Sequence, residues 1–339
     1  MSVNHTGLFL LCFIVSTRTT HCLHNSTNGE QSFRIARRHR NPYDACTLEK
    51  IAYESSLLEK QWLGLAKSIS SLKEYCHVQR AFADENEQWL RRTADARLGV
   101  PNVITQWVPD HIFSSFIHTW RCRSGAVTTE SFIEPLAGAL RHPYGWCNAT
   151  MELRYDFLVP AVADAKTAKT GKNFLFDLGA RTFDIGVGLS KTNSSLSAQK
   201  FLTDAYEDAG LAFDRMLLWE AAPYNASMIW RPVPEKLYPA YQYMNVEATD
   251  GNNLTNPFNV IQKICVPDDF VVVKLDIDNP VLESKFLYRL KTDDHLISLI
   301  DELFYEWNPV WDVAWSTMPS AYETLLHFRS RGVRAHGWI

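Results

Sequence analysis

Beyond residue 15, no segment of this 339-residue chain approaches the about 18 consecutive apolar residues of a membrane-crossing helix, so no stable membrane span is expected. Its seven cysteines include no C-x-x-C pair, which removes the usual spacing of a structural zinc site. No G-K-[ST] is present, which argues against a P-loop nucleotide site. Basic excess is missing too. The formal net charge is −4, so there is no electrostatic case for a nucleic-acid partner. The one basic cluster, Arg34, Arg37, Arg38, His39 and Arg40, lies in a stretch without apolar periodicity and reads as a solvated linker. No internal repeat is visible.

Apolar residues make up 46% of the chain and charged residues 21%, enough to build a substantial core. Residues 8–15 are an unbroken apolar run followed by a polar stretch, 16–21. Eight residues cannot cross about 30 Å of hydrocarbon as a helix. The run therefore reads as the h-region of a signal peptide over 1–22, although residues 1–6 carry no Lys or Arg. Asn4, Asn25, Asn148, Asn193, Asn225 and Asn253 each open an N-x-Ser/Thr triplet, where chance would supply about two. Both features point to the secretory-pathway lumen or the outside of the cell. Cysteines should pair in that compartment, and Cys122 with Cys147, bracketing a loop-rich segment, is the favoured disulfide.

After a polar linker (23–43), residues 44–150 read as a helical N-terminal region. Leu48, Ile51, Leu58, Trp62, Leu65, Ile69, Leu72 and Cys76 recur at helical spacings and suggest one amphipathic helix. A second helix is expected over 85–98, ending at Gly99 and Pro101, with short ones over 112–120 and 131–140. Within this region Arg141 and His142 could reach an acceptor.

From residue 173 the texture changes. Apolar runs at 173–177, 216–220, 241–246, 270–276 and 303–307 alternate with helical patterns at 198–210, 257–265, 283–290 and 295–301. Residues 332–339 read as a final strand. This alternation predicts an α/β fold over 151–339, with a Rossmann-like, doubly wound and mostly parallel sheet. Right-handed crossovers would bring every strand's C-terminal end to one edge, where open α/β sheets bind ligands.

Acids gather at that edge. Asp177 and Gly179-Ala180 follow the first strand, and glycine there lets the backbone turn sharply beside a ligand. Glu220 ends the second, where an acid commonly accepts from ribose hydroxyls, though it lies about twice as far on as the usual spacing of about 20 residues. Asp276 and Asp278, at i and i+2 past the most apolar strand, could share a divalent cation; one could act as a general base. Alternatively, Asp278 caps the following turn while Asp276 bonds backbone amides. Glu306 is a further candidate carboxylate.

These segments resemble the FkbM-type methyltransferases, a branch of the Rossmann-like S-adenosylmethionine-dependent O-methyltransferases. FLFDLGA (174–180) is similar to that family's first motif, VVVKLDID (271–278) to its fourth-strand signature, and ELFYEW (302–307) to its fifth strand. The resemblance implies that Asp177, Gly179 and Ala180 hold the methionine part of S-adenosylmethionine, that Glu220 holds the ribose, and that Asp276 lies beside the transferred methyl. The expected acceptor is a hydroxyl on a small molecule or a glycan. Two other readings stay open. Asp276-x-Asp278 is also the D-x-D of a luminal, metal-dependent glycosyltransferase. Arg181 and Asn279-Pro280 would suit a catalytically inactive secreted relative.

Overall fold

The computed structural model describes residues 14–15, 19–20, 46–97, 111–123, 125–148, 154–159, 169, 171–183, 197–307 and 315–338. Met1–His39 and Arg40–Ile339 are separate compact units. In the first, Ile14–Val15 pairs antiparallel with Thr19–Thr20. The rest of the expected signal and linker, and Asn4, Asn25 and Asn193, lie outside the described residues. Among those described, no helix is long and apolar enough to cross a membrane.

The second unit begins with a sheet where a helix was expected. Thr47–Glu54 is strand β1, paired antiparallel with β2 (Ser114–Cys122), which pairs in turn with β3 (Gly125–Ile133). Leu48 and Ile51 satisfy a helical spacing, but the pairing partner overrides that local preference. The short helices expected at 112–120 and 131–140 are likewise corrected. Residues 112–120 carry Phe, Ile, Thr and Trp, which fit a pleated surface, whereas 131–133 end β3 and Pro135 and Gly138 keep 134–140 irregular.

Ser56 then caps α1 (Leu57–Ala66), its hydroxyl accepting from Glu59 N at 3.1 Å. Ser71 does the same for α2 (Leu72–Ala81), so the expected single helix is two. Helix α3 (Ala83–Arg97) agrees with the pattern at 85–98. The expected Cys122–Cys147 disulfide is not formed. Cys46 pairs with Cys122 and Cys76 with Cys147, because β1–β2 pairing carries Cys122 to the start of β1. Two disulfides fit an extracellular or lumenal location. The described sequon residues Asn148, Asn225 and Asn253 are all exposed.

The larger part is mixed α/β. Its strands are β4 (Asn173–Leu178), β5 (Arg215–Trp219), β6 (Tyr241–Met244), β7 (Phe270–Leu275), β8 (Glu302–Glu306) and β9 (Arg334–Trp338). All are parallel, in the order β9-β8-β7-β4-β5-β6. The helices are α4 (Ala198–Asp208), α5 (Ala226–Trp230), α6 (Pro257–Ile264), α7 (Pro280–Thr292), α8 (Asp294–Leu299) and α9 (Met318–Ser330). A six-stranded parallel sheet flanked by helices is consistent with a Rossmann-like α/β fold. Every residue of β7 is buried, as expected of a strand covered on both faces.

The N-terminal region is joined to this sheet by buried charge. Arg329 of α9 donates to Glu59 Oε2 at 2.9 Å and to the Ala335 carbonyl at 2.8 Å, and lies 3.7 Å from Glu134. His336 of β9 stands 2.6 Å from Glu134 Oε1 and 2.7 Å from Glu302 Oε1. Burial lowers the pKa of the imidazole, but the two carboxylates outweigh it and raise it above the ordinary value. Glu134 is likewise opposed by burial, but His336 and Arg329 hold it down at about 2.

Candidate functional site

Strand order reverses between β4 and β7, and the sequence-predicted acids meet at their C-terminal ends. After β4 the chain turns at Gly179, with φ +85°, where a Cβ would stand 1.7 Å from the Asp276 carbonyl oxygen. No other residue fits there. The Gly179 and Ala180 amides both donate to the Trp219 carbonyl at 3.0 Å, and the Asp276 amide donates to that of Leu178 at 3.1 Å. The three strand tips are thereby tied together.

Beneath this loop lies a cation to which the sequence reading gave no role. Lys274 Nζ stands 3.1 Å from Asp177 Oδ1 and 3.0 Å from Asp276 Oδ2, and donates to the Gly179 carbonyl at 3.1 Å. Burial works against its charge, but the two carboxylates outweigh it. Asp177 is fully buried, which raises its pKa against the pull of Lys274. Structurally, Asp177 is the counter-ion of a buried lysine.

Glu220 is occupied at both oxygens. Oε2 accepts from the Arg181 amide at 2.9 Å and Oε1 from Ala222 at 2.6 Å. A carboxylate offers about four acceptor positions, so capacity for ribose hydroxyls remains. Gly179, Trp219, Glu220, Glu247 and Asn279 line a cleft of about 70 Å³. Thus Gly179 and Glu220 share one cleft, whereas Asp177 and Ala180 lie buried outside its lining.

Asp276, Asp278 and Glu306 form a second group, each offering an oxygen within 4.8 Å of the others. Asp278 does not cap the helix that follows; Asn279 does, its Oδ1 accepting from Leu282 N at 3.2 Å. Glu306 is buried, and its pKa is pushed up to about 8 by that burial and by Asp276, although Arg141 opposes the shift. Arg141 NH2 lies 2.5 Å from Glu306 Oε1, so the N-terminal region supplies a wall of the site. His142 faces Asp156 instead, at 3.3 Å. Tyr155, stacked on Trp338 at 4.5 Å, feels the charges of Lys274, Asp276 and Glu306 and belongs to the same neighbourhood. Arg141 and Tyr155 carried no motif that tied them to these acids. Lys274 lies inside the VVVKLDID segment, and only its burial between Asp177 and Asp276 reveals its part.

No family model, no curated protein and no solved structure matches this chain.

The arrangement sets four carboxylates (Asp177, Asp276, Asp278, Glu306) around two buried cations and the half-exposed Arg181. The carboxylates and cations there are close to balanced, and a carboxylate whose pKa lies near neutrality can take or give a proton. The three clustered oxygens also have the hard-donor chemistry of a divalent cation site.

Proposed function

We propose that the chain is an S-adenosylmethionine-dependent O-methyltransferase of FkbM type, on a doubly wound sheet, acting on a hydroxyl of a small molecule or glycan in the secretory pathway. The observation that supports this reading is one cleft shared by Gly179 and Glu220 at the strand-order reversal, with Asp276, Asp278 and Glu306 grouped at the ends of neighbouring strands. When bound, S-adenosylmethionine supplies a methyl group on a positively charged sulfur. In this reading Glu220 receives the ribose hydroxyls, Gly179 admits the ligand close to the backbone, and Asp276 and Asp278 offset the positive charge. Glu306, in its ionised fraction, would take the acceptor's hydroxyl proton, and Arg141 would favour that ionised form.

One observation favours a second reading. Asp276, Asp278 and Glu306 are close enough to hold Mn²⁺ or Mg²⁺, as a nucleotide-sugar glycosyltransferase requires.

Thermal unfolding of the chain from residue 23 separates these readings. It would be run with S-adenosylmethionine, S-adenosylhomocysteine, NAD, or UDP-sugar plus Mn²⁺. A ligand at 100 times its dissociation constant adds about 2.7 kcal/mol. The methyltransferase reading expects stabilisation by the first two, lost in Glu220→Gln and kept in Glu306→Gln. Stabilisation by UDP-sugar and Mn²⁺ alone, lost in Asp278→Asn, transfers the conclusion to the glycosyltransferase. NAD alone would indicate redox chemistry, and no shift with any ligand an inactive relative.

A further inference from the structure

A larger cleft, about 350 Å³, opens between α7 and α9. Helical geometry builds its walls. Ser284, Leu287, Tyr288 and Lys291 follow the i, i+3, i+4, i+7 spacing of one helix face, and Thr317, Ser320, Ala321 and Thr324 repeat it on the other side. Tyr305 of β8 and Trp307 just beyond it complete the lining. Among the described residues the lining thus combines three aromatic rings with four hydroxyl-bearing aliphatic side chains. Tyr288 is 69% exposed, a large ring held at the surface.

The charge content narrows the ligand. Among the described residues no carboxylate lines the cleft, so any cation there would rest on the aromatic faces alone. The one charged group among its described residues, Lys291, donates to Thr324 Oγ1 at 2.8 Å, which is too little positive charge for a di- or triphosphate. The volume lies within the about 300–1,000 Å³ of small-molecule pockets. What fits is an uncharged ring with an apolar face and a hydroxyl rim. Trp307 Nε1 donates to Thr317 Oγ1 at 2.9 Å and Thr324 Oγ1 to the Ser320 carbonyl at 2.8 Å, so the rim contacts fall to Tyr288, Ser284, Ser320 and the remaining N–H bonds of Lys291.

We propose that the cleft between α7 and α9 binds a saccharide, with a pyranose ring laid against Tyr288. The site shares no lining residue with the cleft at Gly179 and Glu220, and it stands whether or not that cleft takes S-adenosylmethionine.

Saturation-transfer NMR and titration test the proposal on the chain after enzymatic trimming of its own N-glycans. The probes are methyl glucoside, galactoside and mannoside, N-acetylglucosamine, diacetylchitobiose and lactose, with adenosine as the competing ring. At least one saccharide should bind below about 10 mM. Tyr288→Ala should weaken it about tenfold, Tyr288→Phe should retain most of the affinity, and Ser320→Leu, which fills the cleft, should abolish binding. Both positions are exposed, so the variants should keep the parent Tm. Asp278→Asn, in the acid cluster, should bind like the parent. The proposal is overturned by no saccharide binding at that concentration, by binding that survives Tyr288→Ala and Ser320→Leu, or by binding of adenosine alone.

Discussion

Lys274 shows what a single residue does at this site. It is buried between Asp177 and Asp276 and donates to the carbonyl of the glycine on which the turn depends. Removing one partner of a buried ion pair leaves the other charged and unsolvated, at a cost of about 3–5 kcal/mol. Lys274→Met should therefore lower stability by about that amount in urea unfolding, and Lys274→Arg should restore only part of it, since a planar guanidinium cannot replace a compact ammonium. A loss under about 1 kcal/mol would mean that Asp177 folds neutral without its partner. Glu306 supplies the second prediction at this scale. Its carboxyl should titrate near pH 8 in carbon-detected NMR, and Arg141→Gln should move it higher, because Arg141 is the neighbour that opposes the upward shift. Unchanged titration in Arg141→Gln would show that burial and Asp276 alone set the value.

Among the elements, the strands of the parallel sheet were the most legible. The central ones, β4, β5 and β7, are short apolar runs, because a strand covered on both faces has little polar side to display. The edge strands β6 and β9 instead carry Gln242, Arg334 and His336. Helices α4, α6, α7 and α8 were also visible as periodic segments, whereas α5 and α9 were not picked out. In the N-terminal region the pattern misled. Leu48 and Ile51 are three apart, and only pairing with β2 makes 47–54 a strand. The disulfides depend on the same pairing. Partial proteolysis without reduction should release Cys46–Cys122 and Cys76–Cys147 peptides, while a Cys122–Cys147 peptide would contradict the β1–β2 register. The Cys76–Cys147 bridge closes a loop of 71 residues. Replacing both by Ser should cost about 4 kcal/mol in lost constraint on the unfolded chain.

At the scale of the whole molecule, buried acid and base make stability a function of pH. Glu306, Glu283 and His336 all bind protons more tightly in the folded state. Burial lifts Glu283 to about 7 and Glu306 to about 8, and flanking carboxylates raise His336 above 6.5. Their contribution is complete below the unfolded values, about 4.5 for Glu and 6.5 for His, and drains as pH rises through the folded ones. Glu134 works oppositely: held at about 2, it stabilises above about 4.5 and loses that contribution only as pH falls toward 2. Stability should peak near pH 5 and decline on the order of a few kcal/mol by pH 8.5, with Glu306→Gln flattening the alkaline limb. A melting temperature that is flat or rising from about pH 6 to 8.5 would show that these groups are not perturbed as their surroundings imply.

The sequence by itself determined the alternating α/β order, the positions of the parallel strands and the gathering of Asp177, Glu220, Asp276 and Glu306 at one edge. Those features depend on local apolar patterning and on the fixed hand of the crossovers, both of which are written along the chain. Tertiary structure alone decided which acids face the cleft and which are neutralised. Asp177 and Glu220 both end strands and look alike in sequence, yet Lys274 buries the charge of one while the other lines the cleft. It also brought Arg141 from another region against Glu306, and chose the cysteine partners. Charge pairing in a buried site depends on distances between segments far apart in sequence, and no local pattern records them.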